Sequence, residues 1–301
     1  MQTYLYKQSE KINRALLSVL PKENEHPASL SEAMRYAVLS GGKRLRPILA
    51  LAACEAVGGS QFEVMDAALA LELIHNYSLV HDDLPCMDND ATRRGKPTCH
   101  AKFGEVTALL AGDALLTRAF QVLSRKTEDG GRRVNDGGRR MEDPSSPRLR
   151  RAGGGQRTED GKRLRCIYWI SEAVGYQGMV GGQHLDMEYG QKEVDLPTIE
   201  YINTHKSGAL IAVCLKVGAY LGGGTPDQVE SLYRYGKTVG LLFQIVDDIM
   251  DEQGYALVVG IHEAREEASK LLDQAKRELS SFGEKGRLLK QIADNIMTRK
   301  N

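Results

Sequence analysis

Hydrophobic positions recur along the chain at intervals of three and four residues, the spacing of one face of an α-helix. The residues that begin helices fit this pattern. Ser29 and Glu32 form a capping-box pattern, and Pro47 stands at a plausible first helical position of the next segment. A second capping box, with a proline at its first position, opens the segment that follows Thr225. Because no segment shows a convincing strand alternation, the pattern predicts an all-α fold, a single-domain bundle of long helices.

The helical pattern is interrupted between Arg125 and Arg165. This segment holds eight glycines, 13 basic and 7 acidic residues, and no aromatic residue. Such a sequence cannot bury a hydrophobic core, so it predicts a mobile insertion between helices of one domain spanning residues 1–301. Its arginines suggest nucleic-acid binding as an alternative. The mixed charge and the lack of interleaved aromatic residues argue against that alternative, and no nucleic-acid partner is expected.

Composition and charge are those of an ordinary globular chain. The 301 residues carry no formal net charge, 42% are hydrophobic, and the mean hydropathy is −0.37. We find neither a signal peptide after Met1 nor an apolar run long enough to span a bilayer, so stable membrane insertion is not expected. Five scattered cysteines lack metal-binding or redox spacing. They predict reduced thiols, mostly small buried hydrophobic residues, in a cytoplasmic protein.

A first acid cluster follows the apolar predicted helix that runs through Leu79. The acids and the two arginines that follow them are Asp82, Asp83, Asp88, Asp90, Arg93 and Arg94. Unpaired carboxylates at the end of a buried helix are costly, so they persist only where a cation meets them. Carboxylates grouped in this way suit Mg²⁺, which also binds water and phosphate oxygens, and the arginine pair suits the phosphate end of a ligand.

A second acid cluster lies in the stretch 241–251. On a helix, Gln244, Asp247, Asp248 and Asp251 fall at i, i+3, i+4 and i+7 and share one face. A single acid cluster on a helix is often only a solvated surface. Because two clusters occur in otherwise apolar helices, we predict instead two helices that face each other across a cavity, with metal ions and a polyphosphate between them.

Other cations could bind the same polyphosphate. Lys43, Arg44 and Arg46 crowd one loop between predicted helices, which is either a charged surface loop or a diphosphate clamp. Lys206, next to Ser207, lies beside an apolar helical run, where a buried lysine is costly unless it faces an anion.

One histidine precedes the first acid cluster on the same helix face. His75 lies seven residues before Asp82 and could donate to the same anion, although a helical histidine is more often structural. Glu72 and His75 also form an ExxH string, which occurs in di-iron bundles. We reject that interpretation because a di-iron site needs a second such pair and further glutamates from other helices, and a second ExxH string is not expected here. The sequence holds no P-loop string and no plausible nucleophilic triad.

The chain resembles the trans-isoprenyl diphosphate synthases, specifically the short-chain bacterial farnesyl diphosphate synthase type. The matching strings are GGKRLRP at 41–47, HDDLPCMDND and RRGKPT within 81–98, FGEVTALLAGDALL at 103–116, GMVGGQHLDM at 178–187, HKSGAL at 205–210 and FQIVDDIMD at 243–251. This resemblance implies an isoprenoid synthase bundle around a central cavity. It also implies a Mg²⁺-dependent reaction that joins an allylic diphosphate, dimethylallyl or geranyl, head-to-tail to isopentenyl diphosphate, carried out by a homodimer.

The resemblance also implies roles for individual residues. The expected Mg²⁺ ligands are Asp82, Asp88 and Asp247. The expected catalytic residues are Asp82, Asp83, Asp88, Lys206, Asp247 and Asp248. The allylic diphosphate would be held by Arg93, Lys206, Ser207 and Gln244, with Ser207 standing where the family usually has threonine. Isopentenyl diphosphate would be held by Lys43, Arg46, His75 and Arg94. No protein base is required if the released diphosphate takes the proton.

Product length is indicated by the residues just before the first acid cluster. In the family, a bulky aromatic residue at the position of Tyr77 closes the pocket for the hydrocarbon tail, and Ser78 is its neighbour. Tyr77 lies five residues before Asp82, about 7.5 Å along the helix axis. Together with Pro85 and Cys86 in the first motif, it predicts farnesyl diphosphate, a C15 product. The alternatives are geranylgeranyl diphosphate as the product, or that Tyr77 is only a core residue.

The chain departs from the family pattern after Asp251. The family usually continues through a longer loop with a Gly-Lys pair and a second lysine, whereas Glu252 to Gly254 lead here directly to Tyr255. Because the lysine-bearing loop is missing, a second hypothesis is that the chain is a weak or inactive homologue that acts as a partner subunit. A class I terpene cyclase would share the metal-binding logic. The isopentenyl diphosphate set argues against a cyclase, and the retained acids argue against inactivity.

Overall fold

The structure, a computed structural model, describes residues 1–125, 154–189 and 194–299. Its α-helices are α1 (Gln2–Leu16), α2 (Ala28–Leu39), α3 (Leu45–Val57), α4 (Gln61–Asp82), α5 (Cys99–Phe103), α6 (Glu105–Leu123), α7 (Gly154–Val174), α8 (Met179–Tyr189), α9 (Leu196–Ile202), α10 (Ala209–Leu221), α11 (Pro226–Asp251), α12 (Gly254–Val259), α13 (Ile261–Glu278) and α14 (Arg287–Met297). A π-helical turn, Asn203–Gly208, precedes α10, and a 3-10 helix, Ser280–Gly286, precedes α14. The strands β1 (Thr92–Arg93) and β2 (Lys96–Pro97) form the sheet seen in these residues. The all-α prediction is confirmed, and the number of domains stays a prediction.

Helices α4 and α10 carry the hydrophobic core. Helix α4 is buried along most of its length and packs against α3, α6 and α10, while α10 packs against α3, α7 and α11. Gly218 lets α10 approach α3 closely, because a Cβ at this position would fall 2.1 Å from the carbonyl oxygen of Ala50. Since α10 touches both α4 and α11, it connects the two helices that carry the acid clusters.

The helix starts follow the sequence signals in part. The capping box at Thr225 is formed, with Pro226 at the first helical position of α11. The predicted box of Ser29 and Glu32 is wrong, because α2 already begins at Ala28. Pro47 is the third residue of α3, whose first two residues precede it along the chain.

The predicted interruption is wrong over its last residues, because α7 begins at Gly154. Residues 156–165 are rich in arginine, lysine and glutamine, which have good helix propensity. Cys166 and Ile170, one turn apart, are buried and dock the following part of α7. The segment 126–153 lies outside the described residues, so the predicted insertion there stays a prediction.

Helix α6 corrects the expectation about apolar runs. It is long and apolar enough, by length and composition alone, to cross a membrane, and 39% of its most apolar 18-residue window is buried. Core helices meet the same criterion, and α6 packs along α4 and α2. Its opposite face exposes Val106, Leu109 and Leu110.

Candidate active site

The first acid cluster lies at the carboxyl end of α4. The helix ends at Asp82, and the chain turns back so that the N–H of Asp88 donates to the carbonyl oxygen of Asp82 at 2.9 Å. Asp83 is 4% exposed, and its Oδ1 accepts a hydrogen bond from Nε of Arg93 at 2.6 Å. The negative end of the helix dipole adds to this local negative charge. The end of α4 is therefore a place where cations are strongly favoured.

Arg93 and Arg94 lie in a hairpin that the hydrophobic pattern did not predict. Arg93 pairs with Lys96, and the two-residue turn of Arg94 and Gly95 has φ values of 54° and 72°. Positive φ at both positions is typical of a type I′ turn. Strands of two residues are too short to show an alternating pattern, which explains why they were missed.

The hairpin connects the two arginines to the predicted diphosphate clamp. Nη1 of Arg94 donates to the carbonyl oxygen of Gly41 at 2.5 Å. Beside this contact lies a cleft of ≈ 420 Å³, counting space open to solvent, lined by residues of α2, α4 and the hairpin that include Asn76, Asp83 and Arg93. The structure thus brings Arg94 to the loop that carries Lys43, directly before the first turn of α3 with Arg46.

Arg46 and His75 of the predicted clamp are in contact, whereas Lys43 is exposed. Nη1 of Arg46 lies 3.1 Å from Nε2 of His75. Because a guanidinium has no acceptor, this nitrogen of His75 accepts the hydrogen bond, and the ring proton is on Nδ1. Burial, followed by the positive charges of Arg46 and Arg94, lowers the pKa of His75 well below its usual value. His75 is therefore a neutral ring that orients the Arg46 guanidinium.

The second acid cluster lies at the carboxyl end of α11. Asp247 forms an ion pair with Arg299, whose guanidinium also lies 4.1 Å above the ring of Phe243. Asp248 is buried, and its Oδ2 accepts from Nδ2 of Asn203 at 3.2 Å and from the N–H of Tyr255 at 2.9 Å. Asp248 thereby holds the short connection to α12. This connection contains only Glu252 and Gln253, so the lysine-bearing loop of the family is absent between α11 and α12.

Lys206 forms an ion pair with an acid that lies outside both clusters. It lies in the π-helical turn, and its Nζ contacts Oδ2 of Asp186 on α8 at 2.5 Å. Two glycines let helices approach this turn. A Cβ at Gly182 would fall 2.3 Å from the backbone nitrogen of Lys206, and a Cβ at Gly240 would fall 2.8 Å from the Cα of Gly208. Small residues on α8 and α11 therefore set the position of Lys206.

The pKa values of the acids report the same neighbourhood. Burial raises the pKa of Asp82 to about 6, against the opposing effect of Lys206. Burial also raises the pKa of Asp248, which the nearby Asp186 raises further although the hydrogen bonds from Tyr255 and Asn203 lower it. Since Lys206 acts on Asp82 and its partner Asp186 acts on Asp248, the two acid clusters belong to one electrostatic neighbourhood. The cavity expected between their helices stays a prediction.

The remaining predicted residues have simpler surroundings. Tyr77 is 7% exposed, and its ring meets that of His81 edge-on at 5.6 Å between centroids. The hydroxyl of Ser78 donates to the carbonyl oxygen of His75 at 3.0 Å. Gln244 and Ser207 are partly buried on α11 and in the π-helical turn.

The donor chemistry of the site fits Mg²⁺. Within the described ranges, no three ligating side chains converge on one point. Mg²⁺ is commonly held in proteins by one or two carboxylates, with water and substrate phosphates completing its octahedral shell. Asp82, Asp88 and Asp247 could each supply such a carboxylate, and these roles stay predictions.

Three residues near the acid clusters were missing from the sequence-based set. Asp186 pairs with Lys206, Asn203 binds Asp248, and Arg299 pairs with Asp247. Asp186 lies within the GMVGGQHLDM string, which could have drawn attention to it. Asn203 and Arg299 carry no local sequence signal, because their partners are 45 and more than 50 residues away along the chain.

Comparison with known proteins identifies the family. Residues 27–262 match the family model described as polyprenyl synthetase. The chain is 39% identical, over 99% of its length and 79% of the relative, to the heterodimeric geranylgeranyl pyrophosphate synthase large subunit 1 of Arabidopsis thaliana. It is also 39% identical to a dimethylallyltranstransferase of Fischerella ambigua, over 98% of this chain and 83% of the relative. Among solved structures, an apo FPP/GFPP synthase from Zymomonas mobilis is 37% identical with a TM-score of 0.84, covering 99% of this chain and 98% of that chain.

The all-helical bundle is thus that of an isoprenoid synthase. The chain belongs to the polyprenyl synthetase family and is a prenyltransferase that acts on isoprenoid diphosphates. Members of this family are generally Mg²⁺-dependent.

The neutral state of His75 makes folding sensitive to acid. Below about pH 6.5 an unfolded histidine binds a proton that buried His75 does not, so the free energy of unfolding decreases as the pH falls. Glutamine at this position can still accept from Arg46 but does not titrate. Relative to His75→Gln, the wild type is expected to lose about 1 kcal/mol between roughly pH 7.5 and 5.5, measured by chemical denaturation. A difference between the two proteins that does not change with pH would contradict this assignment.

Proposed function

We propose that the protein condenses dimethylallyl or geranyl diphosphate with isopentenyl diphosphate and releases mainly farnesyl diphosphate. The observation that carries this proposal is the ion pair of Lys206 with Asp186, whose charges act on Asp82 and on Asp248 respectively, together with a separate cationic group at Arg46 and Arg94. A prenyltransferase that joins two diphosphates needs two such anion sites. A terpene cyclase needs only one.

The charged residues divide between the two substrates. Arg93, Lys206, Ser207 and Gln244 would hold the allylic diphosphate, and Mg²⁺ held by Asp82, Asp88 and Asp247 would neutralise charge on the departing diphosphate. The allylic C–O bond then ionises, and the double bond of isopentenyl diphosphate attacks the carbocation to form the new C–C bond. The released diphosphate can take the proton lost from the condensed product.

The second substrate would lie at the clamp. Lys43, Arg46, His75 and Arg94 would hold isopentenyl diphosphate through fixed cations and one neutral ring. The contact of Arg46 with His75 and that of Arg94 with Gly41 support this role, because both guanidiniums are already oriented. Preorganised donors lose little conformational freedom when the anion binds.

The direct test is a product analysis. Purified protein is incubated with Mg²⁺, geranyl diphosphate and labelled isopentenyl diphosphate, and the dephosphorylated product is sized by chromatography. A C15 product is expected. A C20 product would mean that the protein is a geranylgeranyl rather than a farnesyl diphosphate synthase. An absence of turnover would overturn the proposed reaction.

Chain length depends on Tyr77 in this proposal. Its ring is buried about 7.5 Å from Asp82 along α4. Solved relatives titled as farnesyl-diphosphate or FPP/GFPP synthases agree with a C15 product, whereas several curated relatives are named geranylgeranyl pyrophosphate synthases. A geranylgeranyl product is therefore the alternative.

Removing the Tyr77 ring should lengthen the product. Tyr77→Ala is expected to shift the main product from C15 to C20 or longer, because it opens the space that the ring fills. Tyr77→Phe retains the ring and should leave the C15 product unchanged. If chromatography shows the same product for the alanine variant and the wild type, Tyr77 is only a core residue.

A second candidate function is that of a weakly active partner subunit. The specific observation is the connection from Asp251 to Gly254, which contains no lysine. Each missing charge-assisted contact could cost about 1.5–3 kcal/mol. One relative is named as the large subunit of a heterodimeric synthase. Turnover in the product analysis at a rate typical of enzymes, about 1 s⁻¹ or above, would exclude this alternative.

Homodimer formation is part of the proposal. Val106, Leu109 and Leu110 form an exposed apolar stripe at i, i+3 and i+4 on α6, as expected of an interface helix. Sedimentation velocity is expected to give twice the chain mass. A monomer at micromolar concentration would contradict the homodimer.

A further inference from the structure

One arginine of the GGKRLRP loop does not face the solvent at all. Arg44 is 3% exposed, while its neighbour Lys43 is exposed and Arg46 is partly buried. Its backbone is left-handed, with a φ of 52°, immediately before α3. A non-glycine residue in this conformation costs roughly 1–2 kcal/mol, so the surrounding contacts must hold it in place.

The Arg44 guanidinium joins three helices. Nη1 donates to Oε1 of Glu72 on α4 at 2.7 Å, Nη2 to the carbonyl oxygen of Val38 on α2 at 2.6 Å, and Nε to Oδ1 of Asn13 on α1 at 2.8 Å. The side chains of Arg44 and Glu72 are only 1% and 3% exposed. Arg44 thus cannot reach a substrate, although it lies between two residues that are expected to do so.

Glu72 is the acceptor on which this arrangement depends. Its Oε1 also lies 3.4 Å from Nδ2 of Asn76, one turn further along α4, while its Oε2 is buried without a partner in the described structure. A buried ion pair adds little net stability compared with an apolar pair of similar size. An incompletely bonded buried carboxylate therefore points to a positional role.

The ExxH string of α4 contacts the clamp loop at both of its ends. Glu72 holds Arg44, and His75, one turn later, contacts Arg46. Arg44 and Arg46, two positions apart along the chain, therefore contact successive turns of α4. The expectation that no second ExxH string occurs is wrong, because Glu23 to His26 is one. It lies exposed in the connection between α1 and α2, outside the core, so the rejection of a di-iron site stands.

We propose that Glu72 is a positioning residue that, by binding Arg44, sets the clamp loop so that Lys43 and Arg46 meet the diphosphate of isopentenyl diphosphate. This inference rests on the proposed function of that loop. Glu72 does not touch the substrate. By binding the Arg44 side chain, it holds the left-handed backbone of Arg44. This backbone conformation sets the direction in which the side chains of Lys43 and Arg46 project.

The test is a comparison of substrate affinities in Glu72→Gln. Glutamine keeps the size of the side chain but removes its charge. The KM for isopentenyl diphosphate is expected to rise about tenfold, whereas the KM for geranyl diphosphate should change little. A general loss of structure would change both. Glu278→Gln, which breaks the distant ion pair with Arg234, is the matched control and should change neither KM.

Direct binding separates the inference from the proposed function. Isothermal titration calorimetry with isopentenyl diphosphate is performed on the wild type and Glu72→Gln. No binding to the wild type would overturn both proposals, and equal binding to the two proteins would overturn the role of Glu72 alone. If Glu72→Gln does not fold, Asn13→Ala decides, because it removes one bond to Arg44 from outside the core. It is expected to weaken binding of isopentenyl diphosphate by a smaller factor, and unchanged binding would overturn the inference.

Discussion

Buried carboxylates that require a cation are the constraint on which the site depends. Asp82, Asp83 and Asp248 lie at the ends of apolar helices, where burial raises their pKa values. The chain provides its own cations, which pair Arg93 with Asp83, Lys206 with Asp186 and Arg299 with Asp247. A diphosphate could take over these cations while divalent ions take over the carboxylates. The same set of charges would then serve the free and the bound protein.

Close approaches of backbone hold this set together. Gly182 and Gly240 bring α8 and α11 against the π-helical turn that carries Lys206. π-Helical turns are rare in general but occur frequently at functional sites. On the other side of the site, Arg94 and Gly95 form a turn that directs Arg94 towards the clamp loop. Close backbone contacts thus help to set the positions of Lys206 and Arg94.

Patterns that recur along whole helices were sufficient to predict the helical bundle. Helical periodicity and the Thr225 cap gave the fold class and the start of α11, and the spacing of acids gave both clusters. Features that depend on a single distant partner were missed. The burial of Arg44 depends on Glu72 on α4, and Asp247 pairs with Arg299 at the carboxyl end of the described chain. The helical start of α7 was missed because glycines and charges there resemble a linker, although its later turns pack against the core.

We propose that Asp82 and Asp247 bind the ions of one shared cluster. The most direct measurement is a double-mutant cycle with Asp82→Asn and Asp247→Asn, in which inorganic pyrophosphate is titrated by calorimetry in the presence of Mg²⁺. Each single variant is expected to weaken pyrophosphate binding about tenfold or more. The double variant should bind pyrophosphate only slightly more weakly than the single variant with the lower affinity. If the two losses multiply as for independent sites, the two clusters do not share their ions, and the proposed shared site is contradicted.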